Sequence, residues 1–271
     1  MRRLLITGAA GGLGQGLLDH LRPCYALRLL DMAPIGHLLP GDEAVTGDLS
    51  DPALASHSVA GCDAVLHLAA VHGLTISFEE TLAANYRGVL NLMDAARSQG
   101  IRPVVFASSN HGWGFHPRGA APLPVLAPPR PDGWYAVSKI WGEAVMALYG
   151  DAHGMVTTSL RIGNCGPDVP DERRSHMWIS FRDLAALINL SLARKGPGHK
   201  AVFACADCDD PFFDTGEAKA LGFRPQDHPS DHLAHADVAR QVPPKGMAGL
   251  AIGGAFAAAA FTANPEEWRK S

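Results

Sequence analysis

Gly8-Ala9-Ala10-Gly11-Gly12-Leu13-Gly14 constrains this chain more than any other stretch, because it follows the apolar run Arg3 to Thr7 and opens a helical pattern. A GxxGxxG turn between strand and helix lets the backbone fold sharply and gathers amide N–H groups at the positive end of the helix. Such a loop cradles a pyrophosphate, so Gly8, Gly11, Gly12, Leu13 and Gly14 are expected to contact a dinucleotide. Further β-like runs lie at Ala26 to Leu30, Ala64 to Leu68, Pro103 to Ala107 and Val156 to Arg161, with helical stretches between them. Strands apolar on both faces alternating with helices predict an α/β fold, a doubly wound parallel sheet that binds its ligand at the strand C-termini.

At 271 residues the chain can bury one substantial core with a small appendage. Residues 1–160 are expected to form an NAD-binding Rossmann domain, and 161–271 a small C-terminal substrate-binding lobe interleaved with it. In the latter, Gly/Pro-bearing loops surround one helix, from about Phe181 to Ala193. The proline-rich stretch Arg118 to Pro131 can only be a loop. Gly246 to Ala263 carries no charge but is mostly Ala and Gly, which reads as buried, closely packed backbone rather than a membrane span.

A net charge of −4, with 47% hydrophobic and 18% charged residues, gives no electrostatic case for nucleic acid or an anionic membrane. A small molecule is the expected partner, and self-association into a homo-oligomer is left open. Five scattered cysteines point to a reduced, cytoplasmic setting without disulfides, and the lone CxxC of Cys205 and Cys208 lacks the second pair a metal knuckle needs. No pair among the histidines has a zinc spacing, so no metal is expected. The apolar start stops in the glycine loop, and no export signal is expected.

Asp31 ends the second strand, where an acidic side chain accepts hydrogen bonds from both adenosine ribose hydroxyls and repels a 2′-phosphate. Met32 and Ala33 offer no arginine to such a phosphate, so NAD is expected over NADP. Asp48 and Leu49, after a third strand, and Leu68, Ala69 and Ala70, after a fourth, extend the line of cofactor contacts. Tyr135 and Lys139, at i and i+4, share one helical face. An ammonium beside a phenol draws its pKa down from about 10, which makes a usable base near neutrality. Ser109 follows the strand Pro103 to Ala107, at the sheet edge where it can hold a substrate oxygen.

Taken together, TGAAGGLG at 7 to 14, HLAA at 67 to 70, NYRGVLN at 85 to 91, FASSN at 106 to 110 and YAVSK at 135 to 139 resemble the extended short-chain dehydrogenases/reductases, the NAD-dependent epimerase/dehydratase family. The resemblance implies an NAD-dependent enzyme whose catalytic triad is Ser109, Tyr135 and Lys139. It also gives Lys139 a hold on the nicotinamide ribose, and makes Asn85 the helix asparagine that supports a proton-relay water.

SSNHGWGFHP at 108 to 117, RPDGWYAVSK at 130 to 139, LRIGNCGP at 160 to 167 and GGAF at 253 to 256 are similar to the bacterial uronate dehydrogenases, which oxidise C1 of a hexuronate to an aldarolactone with NAD. That implies a sugar-acid substrate lined by Ser109, Asn110, Tyr135 and Phe256. In the loop Asp171 to Arg174, Arg173 is the candidate for a bidentate grip on the carboxylate, with Arg174 as the alternative register. His72 and Asn164 stand where the resemblance leads one to expect serines, His72 as a further substrate contact or an exposed loop residue. Asn164 also fits the wider family, in which many members act on nucleotide sugars; an epimerase or reductase of that kind, or a non-catalytic NAD-binding sensor, are the alternative functions.

Overall fold

The computed structural model describes residues 1–36 and 38–268. Seven strands form one parallel sheet: β1 Arg3–Thr7, β2 Ala26–Asp31, β3 Glu43–Thr46, β4 Ala64–His67, β5 Pro103–Ser109, β6 Val156–Ile162 and β9 Gly198–Ala204. Their order is β3-β2-β1-β4-β5-β6-β9, and every neighbouring pair is parallel. Two residue pairs, β7 Asn164–Cys165 and β8 Trp178–Ile179, make a small second sheet beside it. The chain order reverses between β1 and β4, so a crevice opens beyond their C-terminal ends.

Helices cover both faces: α1 Gly12–Leu21, α2 Pro52–Val59, α3 Phe78–Thr81, α4 Gly88–Ser98, α5 Trp134–His153, the single turn α6 Glu172–Ser175 and α7 Phe181–Leu192. A π-helical turn, Leu82–Arg87, joins α3 to α4. Alternation along β1 divides the core, since successive side chains leave opposite faces. Leu4 and Ile6 pack with Leu17, Leu21, Leu184 and Ile188 of α1 and α7. Leu5 faces the other side, with Val59, Leu92, Met93 and Met146 of α2, α4 and α5. Each such fully buried side chain contributes about 1.5–3 kcal/mol, which is what holds the strand ends in register around the crevice.

The sheet extends further than the apolar runs indicate. β9 begins with Gly198, His199 and Lys200, and only its last residues are buried, so it reads as loop although it pairs with β6 along seven positions. β3 is half-buried for the same reason: it is the other edge. Near the end, Gly246 to Ala263 is not buried throughout. Ala251 to Gly254 are, but Ala258 to Ala260 lie exposed on a short helix, Ala255–Ala260, because only one side of that helix meets the body.

Candidate active site

The crevice holds a cavity of about 630 Å³ running from the glycine loop to Tyr135. Gly8 takes φ 73°, and a Cβ there would lie 2.6 Å from the backbone nitrogen of Ala69, so only bare backbone fits between the ends of β1 and β4. Gly11 caps α1, and Gly12 and Leu13 present its first turn to the cavity. Gly14 does not reach the wall. A Cβ at Gly14 would come within 2.6 Å of the Ala9 carbonyl, so its bareness serves close packing of α1 on the loop rather than a ligand contact.

Asp31 closes the adenosine end, its Oδ2 accepting from the Ala10 amide at 2.9 Å and its Oδ1 from the Ala33 amide at 3.0 Å. The carboxylate is thus fixed while each oxygen keeps a lone pair for a further donor. Asp48, Leu49, Leu68, Ala69, Ala70 and His72 continue the wall. These features fit a dinucleotide: a phosphate cradle at a helix N-terminus, an acid at the end of the second strand on the same cavity wall, and small residues beside them.

At the other end α5 puts Tyr135 and Lys139 one turn apart on the cavity side. The Lys139 nitrogen lies 5.5 Å from the Tyr135 ring centre and 4.9 Å from that of Phe106. Lys139 is buried and has no acidic partner among the described residues, and burial pushes its pKa down to about 7. Burial also pushes the Tyr135 phenol up to about 12, Ser109 pulling it down and Asp132 adding to the rise. The expected lowering by Lys139 is therefore not seen: withdrawal from water is the largest influence on the phenol. Ser109, at the end of β5, accepts from the His111 amide at 3.2 Å. Asn85 spends its amide on Val71, donating to the carbonyl at 2.9 Å and accepting from the nitrogen at 2.8 Å, and donates to Ser138 at 2.9 Å. It ties the loop after β4 to the helix carrying Lys139, from a π-turn of the sort that recurs at functional sites.

A second cavity, of about 230 Å³, shares His111, Gly163, Asn164 and Phe256 with the first. Asn110, Arg173 and Arg174 line it. Arg173 donates from Nε to the Ile252 carbonyl at 2.6 Å, and its Nη2 is buried without a partner among the described residues. Burial, then the neighbouring Arg174, lowers its pKa to about 10, against Asp132 and Asp171. Arg174 is instead paired with Asp171. His72 is exposed at the rim, its ring 5.9 Å from that of Tyr135.

Every sequence-expected cofactor, substrate and catalytic residue except Gly14 lines one or both cavities, and the relay asparagine Asn85 lines neither. His111, and Asp132 behind it, were not expected at the site. They pair at 2.7 Å, Nδ1 to Oδ2, across 21 positions of sequence, and His111 belongs to both cavities. Their one signal was location, within the two motifs at 108 to 117 and 130 to 139 that carry the uronate resemblance.

The pattern of the NAD dependent epimerase/dehydratase family matches residues 4–198. A uronate dehydrogenase of Pseudomonas putida is 39% identical over 261 residues, 95% of this chain and 96% of that one. Among solved structures, a uronate dehydrogenase from Agrobacterium tumefaciens, a tyrosine-to-alanine mutant complexed with NAD, superposes with a TM-score of 0.87 at 35% identity, covering 95% of this chain and 97% of its own. A glucuronic acid dehydrogenase from Chromohalobacter salexigens gives 0.89 at 31% identity, covering 98% and 99%. With the family pattern over most of its length and such relatives over nearly all of it, the chain belongs to the NAD dependent epimerase/dehydratase family.

Proposed function

We propose that this chain is an NAD-dependent dehydrogenase that oxidises C1 of a hexuronic acid to an aldarolactone. The observation that carries the substrate class is Arg173: a guanidinium whose buried Nη2 has no partner among the described residues, in a cavity that adjoins the one lined by Tyr135. A carboxylate of the substrate would satisfy it, and a fork of that shape binds carboxylates better than an ammonium does. The relatives named for uronates support the same reading. The 230 Å³ of the second cavity suits one sugar ring and favours it over a nucleotide sugar.

Oxidised nicotinamide supplies the hydride acceptor. The chain's own residues do the rest: the glycine loop and Asp31 hold the dinucleotide, Ser109 orients the C1 oxygen, and Tyr135 takes the hydroxyl proton at its phenol oxygen. Lys139 holds the nicotinamide ribose and places its charge beside Tyr135. Asn110, Asn164, His72, His111 and Phe256 line the sugar. All five cysteines are free thiols, which fits a reducing, cytoplasmic compartment.

A panel of hexuronates and neutral hexoses, followed by NADH absorbance with NADP in parallel, tests this directly. Turnover is expected with a uronate and NAD, at least tenfold poorer with NADP because the Asp31 carboxylate meets a like charge. In Arg173→Met the uronate KM should rise about 30-fold or more, since a charged hydrogen bond is lost. Turnover of neutral hexoses but of no uronate would refute the substrate class.

A further inference from the structure

The Asp132 side chain is wholly withdrawn from solvent, and its one side-chain partner among the described residues is His111. Its second oxygen, Oδ1, is buried with no partner among the described residues. A carboxylate so poorly satisfied is costly to keep away from water, and an apolar side chain of similar volume would serve packing better. The fold nonetheless makes room for it. A Cβ at Gly114 or at Gly253 would run into the Asp132 carboxylate, and Gly253 donates to the Gly114 carbonyl at 2.8 Å, closing the two glycines over the acid.

Asp132 orients His111, whose ring is clamped 4.1 Å from that of Phe256 and stands 6.3 Å from that of Tyr135. With Nδ1 engaged by Asp132, the Nε2 of His111 is left without a partner among the described residues, on a side chain that lines both cavities. A carboxylate on one imidazole nitrogen fixes the proton there and leaves a lone pair on the other.

We propose that Asp132 is a positioning residue for the sugar pocket: it holds His111 with the proton on Nδ1 and Nε2 as an acceptor for a substrate hydroxyl. This rests on the sugar-acid reading of the site. Asp132 itself touches no substrate, and its effect passes through the histidine.

A double-mutant cycle with Asp132→Asn and His111→Ala tests it. An amide keeps the shape of Asp132 but can donate to Nδ1, which moves the imidazole proton to Nε2. In Asp132→Asn the KM for the sugar acid should rise about tenfold, the worth of one hydrogen bond, while NAD affinity, Tm and kcat change much less. Adding Asp132→Asn to His111→Ala should cost nothing more, because the group it positions is gone. An unchanged KM in Asp132→Asn, or losses that multiply in the double variant, would overturn the proposal. Should Asp132→Asn fail to fold, an unchanged KM in His111→Ala overturns it alone. A wild-type protein inactive on every sugar acid instead brings down the reading beneath it, a result seen before any variant is made.

Discussion

Tyr135 and Lys139 are moved in opposite directions by the same cause. Burial penalises whichever form is charged, so the phenol rises to about 12 and the ammonium falls to about 7. A tyrosine so disposed is protonated at neutral pH. To act as the base it must first release that proton to solvent, which neighbouring positive charge favours, before the phenolate takes the substrate's hydroxyl proton. Tyr135→Phe should therefore lower kcat by about 100-fold or more and leave NAD affinity unchanged, as general-base loss does. Lys139→Met should lower both. Steady-state rates and NAD titration separate the two, and an undiminished kcat in Tyr135→Phe would refute the assignment. The sequence made this pair legible because an i, i+4 spacing on a helix fixes a shared face whatever surrounds it. It could not show the direction of the shifts, which depend on how deeply Phe106 and the rest of the site bury the pair. Nor could it show His111 beside Asp132, since a loop whose course is set by tertiary packing brings them together.

At the scale of elements, the strand-loop-helix unit at the start was legible down to its glycines, two of which, Gly8 and Gly14, are required by close backbone approach. What the sequence did not separate was two kinds of glycine. Gly12 faces open space, with nothing within 4 Å of a Cβ, whereas Gly14 abuts the carbonyls of Gly8 and Ala9. Gly12→Ala should keep or slightly raise Tm, because alanine is the better helix former, while placing a methyl group on the cofactor wall and raising the NAD KM. Gly14→Ala should lower Tm and NAD affinity together, because α1 must move off the loop. Thermal melts with and without NAD distinguish them; equal loss of Tm in both would show that the cradle is not divided in this way. The edge strand β9 escaped notice, and β3 was expected only as a third strand ahead of Asp48, without bounds, for a related reason. Half of each faces solvent, so the apolar run that marks a central parallel strand is diluted by Glu43, His199 and Lys200.

For the molecule as a whole, the sheet order follows from the alternation of strands and helices, but the environment at its centre does not. His67, on β4, is fully buried, shares a hydrogen bond at 2.6 Å between its Nδ1 and the Thr7 hydroxyl, and has its other nitrogen unpartnered among the described residues. Burial, and then the charge of Lys139, lowers its pKa to about 3. Between pH 6.5, the ordinary value, and about 3 the unfolded chain binds a proton that the folded one refuses, so folding stability rises with pH across that window and is lost as pH falls through it. The slope from one such proton is up to about 1.4 kcal/mol per pH unit. Lys139 acts with the same sign higher up, between about 7 and its ordinary 10.5, so it adds nothing to the slope in acid. Urea midpoints measured from pH 7 down to pH 4 should therefore fall steeply in the wild type. They should fall less steeply in His67→Gln, whose amide can still meet Thr7 but does not titrate. Parallel curves for the two proteins would mean that exposed carboxylates, and not this histidine, govern acid stability.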